Sequence, residues 1–292
     1  MFTGQQPQVS IVLTAYNRAE PLRRTIETLL CQTFRDYELI VCDDASRDHT
    51  ADVVREFKTR DKRVIYQPTD RNLGMPENLN RGIRMARGEF VANLHDGDLY
   101  APTLLEKWIG ALRDHACAAF VFNEYRFLGS PGQSPTVCRE NLPSAVKGSY
   151  LLEQIYFRRW RFDSPVWGTV MARRSAYLQA GLFDNRFGCI ADVDMWMRLA
   201  ETYDVAYVSE PLITLPSHES VPRNFEIPQK IARQIFWEAR LRHFEGQPLR
   251  LFMEAGRHTR FATYCSAYRG LCRLRRTLRR VHNHSWENKT GS

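Results

Sequence analysis

Phe90-Val91-Ala92-Asn93-Leu94-His95-Asp96-Gly97-Asp98-Leu99-Tyr100 is the stretch on which the fold turns. An apolar run of strand character ends in two carboxylates one residue apart. That puts hard oxygen ligands at the carboxyl edge of a sheet, where a divalent cation can bridge them to a diphosphate. Asp-Gly is also a common turn pair, so the stretch alone leaves a plain turn equally open. Its surroundings decide. Comparable runs at Val9 to Leu13, Glu38 to Cys42, Val64 to Tyr66 and Ala118 to Phe122 alternate with helical patterns. Leu22, Ile26, Leu29 and Leu30 form one apolar helix stripe, and Leu104, Leu105, Trp108 and Leu112 another. This alternation predicts an α/β fold with an open, mainly parallel sheet covered by helices.

In such sheets ligands sit beyond the carboxyl ends of the strands, so the loops opening at Thr14, Asp43, Gln67 and His95 should line one crevice. Gly129 to Pro143, with its Ser-Pro and Pro-Gly pairs, reads as a loop leading to a mixed second half. There Thr169 to Ala172 and Val205 to Val208 read as strands and Asp192 to Glu201 as a helix. The pattern turns helical after about Pro222, to about Val281, and is polar from there to Ser292.

With 292 residues, 43% hydrophobic and 25% charged, the chain can bury a full core. No apolar run approaches the roughly 20 residues needed to cross a bilayer, and Met1 to Gln8 lacks the character of a signal peptide. A cytoplasmic protein is expected. Seven scattered cysteines without a Cys-x-x-Cys pair suggest reduced thiols rather than a zinc site. Much of the net charge of +8 lies in the run Arg269 to Arg280. Its Leu271, Leu274, Leu278 and Val281 share one helical face among arginines. That suits a helix on an anionic membrane surface, a solvated helix packed on the domain, or a homodimer contact. No motif for nucleic acid accompanies the charge.

Residues of chemical interest gather at the expected crevice. Val9 to Arg18 ends a strand in Thr14, Ala15 and Tyr16, where backbone groups could meet a base and Tyr16 could stack on it; a plain strand end is as economical. Asp43-Asp44-Ala45-Ser46 is followed by Asp48 to Thr50, a helix start in which Asp48 or Thr50 caps. Asp44, at the crevice, can accept the imide N–H of uracil. Arg71 either approaches donor phosphates or is a solvated loop cation, and Trp167 either stacks on a sugar or belongs to the core. Asp192 reads equally well as an N-cap of its helix or as a reactive carboxylate, whereas Asp194 suits the first turn through the helix dipole.

The runs VSIVLTAYNR, LLCQTFRDYELIVCDDASRDHT, NLGMPENLNRGIRMARGEF and LHDGDLYAP, with ADVDMWMRL and Glu210-Pro211-Leu212 further on, closely resemble the family 2 glycosyltransferases over about residues 8–220. The resemblance implies the GT-A fold, a Rossmann-like sheet flanked by helices, and an inverting enzyme. It implies a nucleotide-sugar-binding half at 1–125, an acceptor-binding half at 126–220 and a basic helical extension at 221–292. By the same resemblance Thr14, Tyr16, Asp44 and Asp96 serve the nucleotide, with Ala15 and, where it is not a solvated loop cation, Arg71 as further nucleotide-binding candidates beside them. Asp98 and Asp96 hold Mn²⁺ or Mg²⁺, His218 lies near the metal or diphosphate unless it is an incidental loop residue, and Asp192 is the catalytic base.

The implied reaction moves a single sugar from a nucleotide-sugar, a UDP-sugar foremost, to a hydroxyl of a glycan, lipid-linked or small-molecule acceptor. The chain departs from the family pattern at His95 and Gly97, where acidic residues are usual, and at Ala191, where Glu commonly precedes the base. Those departures leave open a catalytically silent member retained as a binding or scaffolding module. A sugar-nucleotidyltransferase would instead open with a Gly-rich phosphate loop, which Thr14-Ala15-Tyr16-Asn17 is not.

Overall fold

The computed structural model describes residues 6–128, 134–138, 141–153, 166, 168–216, Gln234 and Glu238. The chain first lays down β1 (Val9–Ala15), α1 (Ala19–Leu30), β2 (Tyr37–Asp43), α2 (Thr50–Arg60), β3 (Val64–Pro68) and α3 (Met75–Met85). There follow β4 (Phe90–His95), β5 (Leu99–Tyr100), α4 (Leu104–Asp114), β6 (Ala118–Phe127), β7 (Thr136–Cys138), β8 (Ala145–Val146) and α5 (Gly148–Glu153). Next come β9 (Val170–Arg173), α6 (Arg174–Gln179), a 3-10 turn (Asn185–Ile190), α7 (Ala191–Thr202) and β10 (Asp204–Leu215).

One sheet joins both halves of the chain, in the order β3-β2-β1-β4-β9-β6-β10-β5, with β7 on β6 and β8 on β10. The first four strands in that order are mutually parallel, whereas β9 runs antiparallel to both β4 and β6. Helices cover both faces, which is why β1 and β2 read as continuous apolar runs. Because alternate strand residues face opposite ways, Val12 and Ile40 join Leu79 and Ile83 of α3 and Trp196 of α7 on one face. Ile11 and Leu13 join Leu22 and Ile26 of α1, Phe57 of α2 and Trp108 of α4 on the other. Helix α3 lies so close to the sheet that a Cβ on Gly82 would stand 2.3 Å from Val12 Cγ1 and 2.8 Å from Cys42 Sγ.

Two expectations need correction. The segment Gly129 to Pro143 is not all loop, because Thr136–Cys138 forms β7 on the far end of β6. That end, Tyr125–Phe127, runs past its other antiparallel partner β9 and offers a free ladder edge, which three residues of strand character occupy. The strand expected at Val205 to Val208 extends to Leu215, with register shifts around Pro211. A proline donates no ladder hydrogen bond, so the strand bulges there and resumes. Among the described residues no helix is long and apolar enough to cross a membrane. Trp167, His218 and the basic run lie outside the described residues.

Candidate active site

The register of the sheet assembles the crevice. Thr14 of β1 pairs with Cys42 of β2 on one side and His95 of β4 on the other, so the loops following all three strands open at one edge. The first two loops are tied together. Asn17 and Ala45 adopt positive φ, Asn17 N donates to Ser46 Oγ (2.9 Å), and Arg47 N donates to Asn17 Oδ1 (2.7 Å). His49 rather than Asp48 or Thr50 occupies the cap position of α2, while Asp48 accepts Ala19 N and Thr50 N, both at 3.0 Å, and so ties the starts of α1 and α2 together. Above this base Ala15 is buried and Tyr16 is 48% exposed, which leaves the phenol face free to stack on a planar ligand.

The two acids after β2 differ in their engagements. Asp43 is held by Tyr66 OH (2.6 Å) and Ser46 N (3.0 Å). Asp44 accepts Leu73 N (2.7 Å) and Gly74 N (2.9 Å), and so fixes the approach to α3. Thr69 Oγ1 donates to Asp44 as well (3.5 Å). A carboxylate offers about four lone-pair sites, so these three bonds leave Asp44 capacity for one further N–H. Arg71 is exposed on that same approach. Asn78 Nδ2 donates to Cys42 O (2.7 Å), anchoring α3 to the end of β2.

The Asp96-Gly97-Asp98 turn is gripped from several sides. Tyr100 OH accepts His95 N (2.9 Å) and donates to His95 O (3.0 Å). Thr25 Oγ1 of α1 accepts Gly97 N (2.9 Å) and donates to Asp98 O (2.8 Å). Gly97 has φ +94°, a left-handed backbone that favours glycine, and a Cβ there would stand 2.6 Å from Arg18 Nη2, the movable end of an exposed side chain. Arg18 Nη1 pairs with Asp96 Oδ1 at 3.3 Å.

Burial pushes the Asp96 carboxyl up to about 6, against the pull of Arg18. Burial, reinforced by the charge of Asp96, pushes Asp98 up to about 8. Burial, with Arg18 nearby, lowers His95 to about 4, so its imidazole is neutral at neutral pH.

Asp96 Oδ2 and Asp98 Oδ2 are both buried without a hydrogen-bond partner. Two orphaned oxygens on a buried like-charged pair fit a divalent cation. Among the described residues no group of three His, Cys, Asp or Glu side chains converges to complete a protein cage. Mg²⁺ is commonly held by one or two carboxylates with phosphate and water supplying the rest, which is the arrangement these residues suit.

Asp192 is the second residue of α7, and Ile190 occupies the cap position, so the N-cap reading is set aside. Its Oδ1 accepts Val193 N (2.8 Å), and burial pushes it up to about 6. A Cβ on Gly168 would stand 2.8 Å from Asp192 Oδ2 and 2.6 Å from His95 Cε1. The bare Gly168 therefore lets the base candidate and the end of β4 approach one point. Asn93 Nδ2 pins the Gly168 carbonyl at 2.9 Å. Ala191 is fully buried in the core, where a Glu would need a charged partner. Asp194 is buried and accepts Arg198 Nε (2.8 Å), while Arg198 also binds Leu182 O (2.7 Å), so Asp194 holds the segment before α7.

The sequence suggests no individual role for Arg18, Thr25 or Asn93, and Gly168 figures in it only as the end of the stretch Phe162 to Gly168, placed where the acceptor enters. A polar Asn93 within an apolar strand was the visible signal for one of them.

A doubly covered α/β sheet with paired acids at its carboxyl edge defines a GT-A-type protein. The family described as Glycosyl transferase family 2 matches residues 10–180, more than half of the chain. The chain belongs to that family and is a glycosyltransferase. It is 26% identical over 211 residues to the uncharacterized glycosyltransferase MJ1057 of Methanocaldococcus jannaschii, covering 71% of this chain and 70% of that one. S. aureus TarS 1-349 in complex with UDP has the same fold, with a TM-score of 0.60 and 18% identity over 81% of this chain and 72% of that one. So has the mannosyltransferase PcManGT from Pyrobaculum calidifontis in complex with GDP-Man and Mn²⁺, with a TM-score of 0.52 and 17% identity over 89% and 76% of the two chains.

Proposed function

We propose that this chain is a metal-assisted, inverting glycosyltransferase that moves one sugar from a nucleotide-sugar, a UDP-sugar foremost, to a hydroxyl of a glycan, lipid-linked or small-molecule acceptor. The observation that carries the reading is the meeting of Asp192 with His95 across Gly168, one residue from the paired acids. A proton acceptor and a diphosphate-binding edge thereby share one crevice. The solved relatives in complex with UDP and with GDP-Man and Mn²⁺ support a nucleotide donor and a divalent ion.

In this reading Thr14, Ala15, Tyr16, Asp44 and Arg71 hold the nucleotide, with Asp96 toward the ribose and diphosphate. Asp98 and Asp96 hold Mn²⁺ or Mg²⁺, which when bound supplies Lewis-acid neutralisation of the departing diphosphate. Asp192 Oδ2 takes the acceptor proton while the acceptor oxygen bonds the anomeric carbon. The bond from that carbon to the diphosphate breaks on the opposite face, and its electron pair leaves with the nucleotide. One displacement inverts the configuration. A base with a pKa near 6 is ionised at neutral pH yet basic enough to assist.

Residues 1–125 carry the donor side and 126–220 the acceptor side. The basic run in 221–292 supports contact with an anionic membrane bearing a lipid-linked acceptor.

Calorimetric titration with UDP, GDP, dTDP and CDP, with and without Mn²⁺, tests the donor side beside Asp98→Ala. Metal-dependent binding of one nucleotide, weakened in the variant, is the expected result. Asp192→Asn should then abolish transfer and leave that binding within about threefold, since a lost general base typically costs 10²-fold or more. Sustained turnover in Asp192→Asn removes the base assignment.

A further inference from the structure

We infer that His95 forms the second hydrogen-bonding wall of the acceptor seat, holding the acceptor hydroxyl against Asp192 above the bare Cα of Gly168. His95 Nε2 lies 3.3 Å, and Asp192 Oδ2 2.8 Å, from the same point beside that Cα, the place a Cβ would take. No hydrogen bond joins the two side chains directly. Their separation is therefore at most about 6 Å, so a single oxygen lying farther out than the Cβ position, in contact with the Gly168 Cα, can reach both through hydrogen bonds of roughly 3 Å. Flipping the ring exchanges Nε2 and Cε1, so a ring nitrogen faces the gap in either orientation.

The surroundings fix this gap. His95 cannot swing with its backbone, because Tyr100 OH bonds both its N and its O. Asp192 is oriented by Val193 N on its other oxygen, and Gly168 is pinned by Asn93. Any side chain at position 168 would fill the space between the two groups.

The deduction rests on Asp192 being the base, and it assigns each valence of the attacking oxygen. The hydroxyl proton points to Asp192 Oδ2 and one lone pair accepts the Nε2–H of His95. The other lone pair is left free to bond the anomeric carbon. His95 neither gains nor loses a proton in the step; it orients the nucleophile. The histidine that stands in an acidic position of the family pattern is, on this account, part of the acceptor machinery rather than a lost ligand.

The test combines a crystal structure of the full chain with UDP and Mn²⁺ and a UDP-release assay on the matching UDP-sugars, water serving as acceptor. The structure should show an ordered oxygen within hydrogen-bond distance of both His95 and Asp192, absent in His95→Ala. In the assay His95→Ala should slow UDP release by roughly 10- to 100-fold, the worth of one oriented hydrogen bond. Its UDP affinity should stay within about twofold of wild type, because the seat lies on the acceptor side. His95→Gln should recover most of the rate, and Gly168→Ala should lose it as His95→Ala does.

Full-speed UDP release in His95→Ala, an equal loss of UDP affinity, or a gap closed by a direct His95–Asp192 bond would each overturn the assignment. An Asp192→Asn variant that still turns over sinks the base reading instead, and in that case the bridging oxygen still reports on His95.

Discussion

Replacing Asp98 by Asn should make the metal-free protein more stable, increasingly so as pH rises. Asp98 is only 6% exposed, one of its oxygens has no hydrogen-bond partner, and Asp96 lies two residues away. Burial and that neighbouring charge hold its pKa near 8, above the ordinary 3.8. The folded state thus binds a proton that the unfolded chain has already released. Stability from this group is fully present below the unfolded value and is lost as pH rises toward the folded one.

Each pH unit in that window is worth at most about 1.4 kcal/mol, which sets a ceiling of about 4 kcal/mol at pH 7. Relaxation of the turn and partial hydration leave roughly 1 to 2 kcal/mol, or about 2 to 8 °C in melting temperature for a domain of this size. The assay is thermal unfolding of wild type and Asp98→Asn in a chelator at pH 5, 7 and 8.5. The gap in melting temperature should be small at pH 5 and widest at pH 8.5, and Mn²⁺ should narrow it by stabilising only the wild type. A gap independent of pH, or a variant that melts below wild type throughout, would refute the claim that this carboxylate is held in the fold against its own charge.

Other outcomes follow from the same geometry. With saturating Mn²⁺, turnover should climb through an apparent pKa near 6 as Asp192 ionises, falling about tenfold per unit below it; a rate profile flat from pH 5 to 8 contradicts the base role. Asn80→Ala removes both bonds to the Phe183 backbone, each 2.8 Å and buried, and should cost about 2 to 4 kcal/mol in urea unfolding. Gly82→Ala drives a methyl into Val12 and Cys42 and should cost roughly 1 to 3 kcal/mol, read in the same experiment.

The parallel half of the sheet was legible because strands buried on both faces leave uninterrupted apolar runs and their helices leave stripes. Leu22, Ile26 and Trp108 lie in the core where those stripes put them. The direction of β9 was not legible, since alternation looks the same read either way along a strand. Two-residue β5 and three-residue β7 are too short to impose any period, and they exist because longer strands offer them an edge.

At the site, the acids were visible as letters, but their partners often were not. Asp44 is engaged by main-chain amides, which no sequence spells, and Arg18 reaches Asp96 only because Gly97 bends the turn beneath it. Asp192 and His95 lie far apart in the chain, and their approach depends on a glycine whose lack of a side chain carries no motif.

The antiparallel setting of β9 gives the molecule a modular construction. Since β9 runs against β4, it begins at the rim where β1, β2 and β4 end, and Gly168 and Thr169 stand just before it there. Residues exchanged at that strand start change what is presented to the rim while the pairings of β3, β2, β1 and β4 keep their register. Under the proposed function, a lineage refits the chain to a new acceptor in this way while the parallel half of the sheet stays as it is.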